Sequence, residues 1–147
     1  MDKIGFENLR VYCLAEELGD FIWEIVSKWD RLAIDTIGKQ WINSADSIGA
    51  NIAEGTGRGS FADNRRFAKI ARGSLFEVMH WLRRAYKRGL LNEHEILKLQ
   101  QLTNELIPKL SAYINSIGRK ATNNRPRTTH NEQLTTNNGQ HPTYNGQ

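Results

Sequence analysis

On either side of a glycine-rich turn, the stretch from Gln40 to Leu82 alternates apolar and polar residues with helical period. Trp41, Ala45, Ile48 and Ile52 recur at steps of four, three and four, and Ser47, Asn51, Glu54 and Arg58 recur at the same steps one stripe over. On a helix this spacing sets an apolar seam beside a polar, hydrogen-bonding one. It predicts a second helix over about Ile37–Glu54 and a third over about Phe61–Arg88, the latter burying Phe67, Ile70, Ala71, Ser74, Leu75, Val78, Trp81, Leu82 and Ala85. Upstream, over about Phe6–Trp29, Leu9, Leu14, Leu18, Phe21, Ile22, Ile25, Val26 and Trp29 make a wide apolar band opposite Glu7, Glu16, Glu17, Asp20 and Glu24. Downstream, Ile96, Leu99, Leu102, Leu106, Leu110, Tyr113 and Ile117 keep a three-and-four rhythm. Nothing alternates with the period of a strand. The expected fold is all-α, an antiparallel up-and-down four-helix bundle over residues 1–118.

Punctuation residues set the expected boundaries. Asp35 or Thr36 is placed to cap the second helix, and the glycines of Gly55–Ser60 to stop it by accepting a left-handed conformation. Ser60 with Asp63, and Asn92 with Glu95, are capping patterns for the third and fourth helices, and Gly89 and Gly118 are their stops. Pro108 removes a backbone bond and predicts a kink near Asn104 or a split into two shorter helices. Gly73-Ser74 inside the third helix costs about 1 kcal/mol in propensity, which implies a close contact with a facing backbone. The small residues Ser44, Ala45, Ser47, Gly49 and Ala50 of the second helix are the natural partner.

From Arg119 on, the chain is Asn, Thr, Gln, Gly and Pro with Leu134 and Tyr144 as its only large apolar residues. That is too little burial to offset the entropy of ordering, so residues 119–147 read as a disordered tail. Its Arg119, Lys120, Arg125 and Arg127 would add diffuse attraction to a polyanion. Cys13 is the only cysteine, which excludes an intrachain disulfide and fits a reduced compartment. No run is apolar enough to span a membrane and no signal segment opens the chain, so the expected location is cytoplasmic with no membrane partner.

The net charge of +4 hides a sorted distribution. Residues 1–38 hold four basic and eight acidic side chains, net −4, whereas residues 61–90 hold eight basic and two acidic, net +6. A charge run is ordinarily a solvated face. Segregation by helix favours surfaces that meet charged partners. The basic candidates are Arg65, Arg66 and Lys69 at one end of the third helix and Arg83, Arg84, Lys87 and Arg88 at the other. Such side chains neutralise phosphates of RNA or DNA without reading sequence, and they also pair with acidic helices, including the first helix of a neighbouring copy.

The ordered set Ser47-Ile48, Asn51-Ile52-Ala53-Glu54-Gly55, Gly57-Arg58, Arg66-Phe67, Ile70-Ala71-Arg72-Gly73-Ser74-Leu75 and Glu77 resembles the signature of the bacterial four-helix-bundle proteins encoded in intervening sequences of 23S ribosomal RNA genes. Distant relatives are the accessory variability determinant proteins of diversity-generating retroelements. The resemblance covers most of the chain to about Gly118 and none of the tail. It implies a homopentameric ring and a basic surface that engages RNA and a reverse transcriptase. Where many members carry consecutive arginines after the equivalent of Gln40, this chain has Ile42-Asn43, which shifts the implied nucleic-acid contact toward the third helix.

Catalysis finds no support in the spacing. Glu77 and His80 form Glu-x-x-His on a helix, yet a di-iron site needs a second copy and further glutamates, so no metal and no cofactor is expected. The turn Gly55–Ser60 resembles a phosphate cradle but follows a helix instead of a strand, and Asp63 would repel an anion there. Cys13 is a packed or inert thiol with no neighbouring base in sequence. The stripe Ser47, Asn51, Glu54 and Arg58, with Arg72, Ser74 and Glu77, is expected to form a buried, mutually satisfied network that fixes helix register, or else a subunit seam or ligand pocket. Glu77 would accept a hydrogen bond from Arg58 or Arg72, and His80 would pack beside Trp81. The function these features favour is a non-enzymatic homo-oligomeric adaptor for structured RNA or a nucleic-acid enzyme. The alternative is a structural interaction module assembled through complementary acidic and basic helices.

Overall fold

A computed structural model describes residues 5–123. Among them there is no strand; four long helices run up and down as α1 (Arg10–Val26), α2 (Lys39–Gly57), α3 (Phe61–Lys87) and α4 (Glu93–Asn123). Helices α1 and α3 each pack against both α2 and α4. Residues 1–4 of the expected bundle and 124–147 of the expected tail lie outside the described residues.

The caps explain where the helices start and stop. Ser60 Oγ accepts from Asp63 N at 3.2 Å, and Asn92 and Glu95 bond reciprocally, Glu95 N to Asn92 Oδ1 at 2.8 Å and Asn92 N to Glu95 Oε1 at 2.9 Å. The residue with φ +82° after α2 is Gly59, while Gly55 and Gly57 stay helical. Gly89 at φ +70° closes α3, where Leu90 N bonds Ala85 O and Gly89 N bonds Tyr86 O, the paired bonds of a Schellman ending.

Three boundaries differ from the expectation. Helical structure leading into α2 begins at Arg31, because Asp30 Oδ1 accepts from Ala33 N at 2.9 Å and caps it in place of Asp35 or Thr36. A π-turn over Ile34–Gly38 then joins this start to α2. A short 3₁₀ turn, Gly5–Asn8, precedes α1 where one continuous helix was expected. Finally, α4 passes through both Pro108 and Gly118 to Asn123. Pro108 and Asn104 are exposed, so the backbone bond lost to proline faces solvent and costs little.

Leu14, Leu18, Ile22, Trp41, Ile48, Ile52, Leu75, Leu99, Leu106 and Leu110 are fully buried in one core. At the end of the bundle that holds the α1–α2 and α3–α4 links, Trp29 stacks on Trp41 with ring centroids 5.8 Å apart. Its indole nitrogen donates to Leu90 O at 3.1 Å, tying the two links together. Ile70 departs from its expected burial: it is 43% exposed, and Phe76 is 58% exposed on the same helix.

Close approach of α2 and α3 occurs at Gly55 and not at Gly73. A Cβ on Gly55 would lie 2.7 Å from Asn64 Oδ1 and 2.9 Å from Phe67 Cβ, whereas nothing lies within 4 Å of one on Gly73. Gly49 instead faces Tyr12 and Ala15 of α1, so the small residues of α2 serve its contact with the first helix too.

Candidate nucleic-acid interface

Helix α3 buries Phe67, Ala68, Ala71, Leu75, Val78 and Ala85, which leaves its other side for the cations. Arg66, Lys69, Arg83, Arg84, Lys87 and Arg88 are exposed and Arg65 is half-buried. The two basic groups sit at opposite ends of the helix, about 27 Å apart from Arg65 to Arg83 at 1.5 Å per residue. Among the described residues only Arg66 in this set forms an ion pair, with Asp63 at a long 3.9 Å. Among the described residues Lys69, Arg83, Arg84, Lys87 and Arg88 are solvated cations with no acidic partner to compete with a phosphate, and Arg65 lacks such a partner while half-buried.

The end containing Arg65, Arg66 and Lys69 is the more structured one. These three side chains line a groove closed on its far side by Asn115, Gly118 and Arg119 of α4. Arg119, expected in a disordered tail, is in the last turns of a helix and adds a fourth cation. Beside the groove, the guanidinium groups of Arg58 and Arg66 lie 4.7 and 4.8 Å from the centre of the Phe67 ring. Cation–π contact helps to hold both, beside the ion pairs of Arg58 with Glu54 and of Arg66 with Asp63. Arg58 was not among the expected binding residues, and Arg119 was expected only to add diffuse attraction from a tail; no periodicity in the sequence shows that α3 and the last turns of α4 meet here.

The polar stripe divides into separate arrangements instead of forming one closed network. Asn51 Nδ2 donates to Ser47 O at 2.8 Å and to Ser47 Oγ at 3.0 Å, and Ser74 Oγ reaches Ser47 Oγ at 3.0 Å, joining α2 to α3 through three half-buried side chains. Glu54 and Arg58 pair with each other at 3.0 Å on the outside, with side chains 52% and 46% exposed. Glu77 is exposed and accepts from Trp81 Nε1 at 3.2 Å, so its partner is neither Arg58 nor Arg72. Arg72 is half-buried and makes no hydrogen bond or ion pair among the described residues. The i,i+4 spacing explains the division: residues one turn apart on a helix satisfy each other before they reach across to the next.

Glu77 and His80 both attend to Trp81, His80 meeting it edge-on with centroids 4.7 Å apart. Among the described residues no group of three or more His, Cys, Asp or Glu is placed to hold a metal ion. Cys13 is half-buried, its sulfur 3.4 Å from Glu7 O. The acidic side of the molecule shows one electrostatic tension. Burial and then the nearby Asp20 carboxylate push the Asp46 carboxyl above the usual aspartate range. No described helix is long and apolar enough to cross a membrane.

Comparison with known proteins agrees with this architecture. A crystal structure of a protein of unknown function from the S23 ribosomal protein family of Bacteroides thetaiotaomicron is similar, with 22% identity and a TM-score of 0.63. The likeness covers 71% of this chain and 97% of that one, and at this identity it speaks for the fold alone. No curated protein matches the sequence. The family model described as 23S rRNA-intervening sequence protein matches residues 7–112, from the 3₁₀ turn into α4. The chain, with its four antiparallel helices, therefore belongs to the 23S rRNA-intervening sequence protein family.

Proposed function

We propose that this protein is a non-enzymatic, self-associating adaptor that binds structured RNA, or an enzyme acting on nucleic acid such as a reverse transcriptase, through the basic face of α3. One observation carries the reading: along α3 and its C-cap stand eight cations, and among the described residues only Arg66 has an acidic partner. Unpaired arginines and lysines spaced along a rigid helix suit the regular charge of a polynucleotide backbone. Arg65, Arg66, Lys69, Arg83, Arg84, Lys87 and Arg88 are the contacts, and Arg58 and Arg119 extend the first group. Self-association, as the pentamer that the resemblance implies, would repeat this face around a ring and raise avidity.

A second reading has its own observation. Gly73 opens onto empty space between the exposed Ile70 and Phe76, while α1 presents Glu16, Asp20, Glu24 and the exposed Trp23. Such faces suit copies of the chain that meet through complementary charge, without nucleic acid. Salt separates the two readings. Binding of a labelled RNA hairpin to the full chain, titrated over increasing salt with light scattering at each step, should show steep loss of RNA while the oligomer persists. Dissociation of the oligomer over the same salt range, with no RNA bound even at low salt, would replace the adaptor by the interaction module.

A further inference from the structure

We infer that the groove between the first half of α3 and the end of α4 is a built site for a phosphate group, carried by an RNA backbone, with Arg65 as its central ligand. The identity of the ligand rests on the nucleic-acid reading; the phosphate chemistry rests on the groove itself. Arg65, Arg66 and Lys69 enter from α3 and Arg119 from α4, and no acid lies among the lining residues. Asn115 adds a neutral amide donor from the α4 side. The groove is open to solvent and offers ≈ 1170 Å³, far more than one ion fills and enough for linked nucleotides of a strand.

Gly118 makes the arrangement specific. A Cβ there would stand 2.9 Å from Arg65 Nε and 3.5 Å from its Cδ and Cζ, so the Arg65 side chain lies directly on the backbone of α4. In that position Nε is buried and has no hydrogen-bond partner, and Arg65 forms no ion pair among the described residues. A guanidinium partly desolvated with no counter-charge is a cost in the free protein. An arriving phosphate supplies the missing negative charge, and Lys69 and Arg119 neutralise the remainder. By contrast, Arg83, Arg84, Lys87 and Arg88 are exposed side chains of one helix end, suited to diffuse attraction and not to holding one group in place.

The test compares three full-length variants: Gly118→Ala, which displaces Arg65 while keeping every charge; the pair Arg65→Gln with Lys69→Gln; and the distant pair Arg83→Gln with Lys87→Gln. Two probes are used, a labelled single-stranded RNA followed by fluorescence anisotropy over a salt series, and inorganic tripolyphosphate followed by its effect on thermal unfolding. We expect Gly118→Ala and the Arg65/Lys69 pair to weaken RNA binding about tenfold or more. The pair should also shallow the salt slope by about 1.4, at roughly 0.7 per phosphate of a single strand. The Arg83/Lys87 pair removes diffuse contacts and should weaken RNA binding by a smaller factor than either groove variant, while leaving the tripolyphosphate stabilisation intact. Unfolding temperatures without ligand check that each variant is folded. If the distant pair abolishes RNA binding while both groove variants bind like wild type, the groove is not the site and the adaptor reading survives. Tripolyphosphate stabilisation lost in the groove variants, with no RNA bound by wild type, would keep the phosphate site and overturn its RNA identity. Binding of neither probe by wild type would overturn both.

Discussion

Gly55 and Gly73 should respond to the same substitution with opposite signs. A methyl group on Gly55 would meet Asn64 Oδ1 at 2.7 Å, Phe67 Cβ at 2.9 Å and Asn64 O at 3.1 Å. The first contact is a side-chain tip that can swing away, but a Cβ and a carbonyl oxygen move only with the backbone of α3. Such overpacking costs about 1–3 kcal/mol, and Gly55 lies in the last turn of α2, where the propensity gain of alanine is below its mid-helix value of about 1 kcal/mol. The net expectation is a loss of about 1–2 kcal/mol, or roughly 3–8 °C in unfolding temperature for a domain of this size. Gly73 is exposed, in mid-helix, with nothing within 4 Å of its added methyl, so Gly73→Ala should gain about 1 kcal/mol. Thermal and urea unfolding followed by far-UV circular dichroism reads both. A Gly55→Ala variant as stable as wild type would refute the close contact of α2 with α3. A Gly73→Ala variant that loses stability, and more so at higher protein concentration, would show that a second chain covers that face.

The raised carboxyl of Asp46 sets a pH dependence. In the window between the ordinary aspartate range and its raised folded value, the folded state binds more protons than the unfolded one, so this group favours folding at low pH and its contribution is lost as pH rises through that window. Asp46→Asn should therefore stabilise the protein near neutral pH, by under about 1 kcal/mol because solvent screens so exposed a group; a gain of equal size in strong acid would contradict this. Trp29→Phe keeps an aromatic ring against Trp41 but deletes the bond to Leu90 O, and should cost about 0.5–1.5 kcal/mol with faster hydrogen exchange in the α3–α4 link. Exchange confined to other regions would count against that tie. Ser74→Ala breaks the bridge to Ser47 and should cost about 1 kcal/mol, and Ser47→Ala added to it should cost less than Ser47→Ala alone, because only the bond from Asn51 then remains to be lost; fully additive losses would mean the two hydroxyls act independently.

What the sequence determined by itself is local. Apolar spacing along each helix, the capping patterns at Ser60 and Asn92 and the stop at Gly89 depend only on residues within a turn or two, and the observed elements follow them. The ordered polar and glycine positions of α2 and α3 likewise identify the family without reference to coordinates. Where a residue's role depends on what arrives from another helix, periodicity is silent. Gly73 and Gly55 look alike in the chain, yet only one meets a neighbour. Gly118 reads as a helix stop, but in the bundle it is the bed on which Arg65 lies, and Arg119 becomes a wall of the groove. Glu54 on α2 and Arg72 and Glu77 on α3 were expected in one network, and packing still left the two carboxylates to partners one turn away. Period sets which side of a helix is apolar; the rotation and approach of the helices decide which of the remaining side chains meet, because those follow from how a whole core fills its volume.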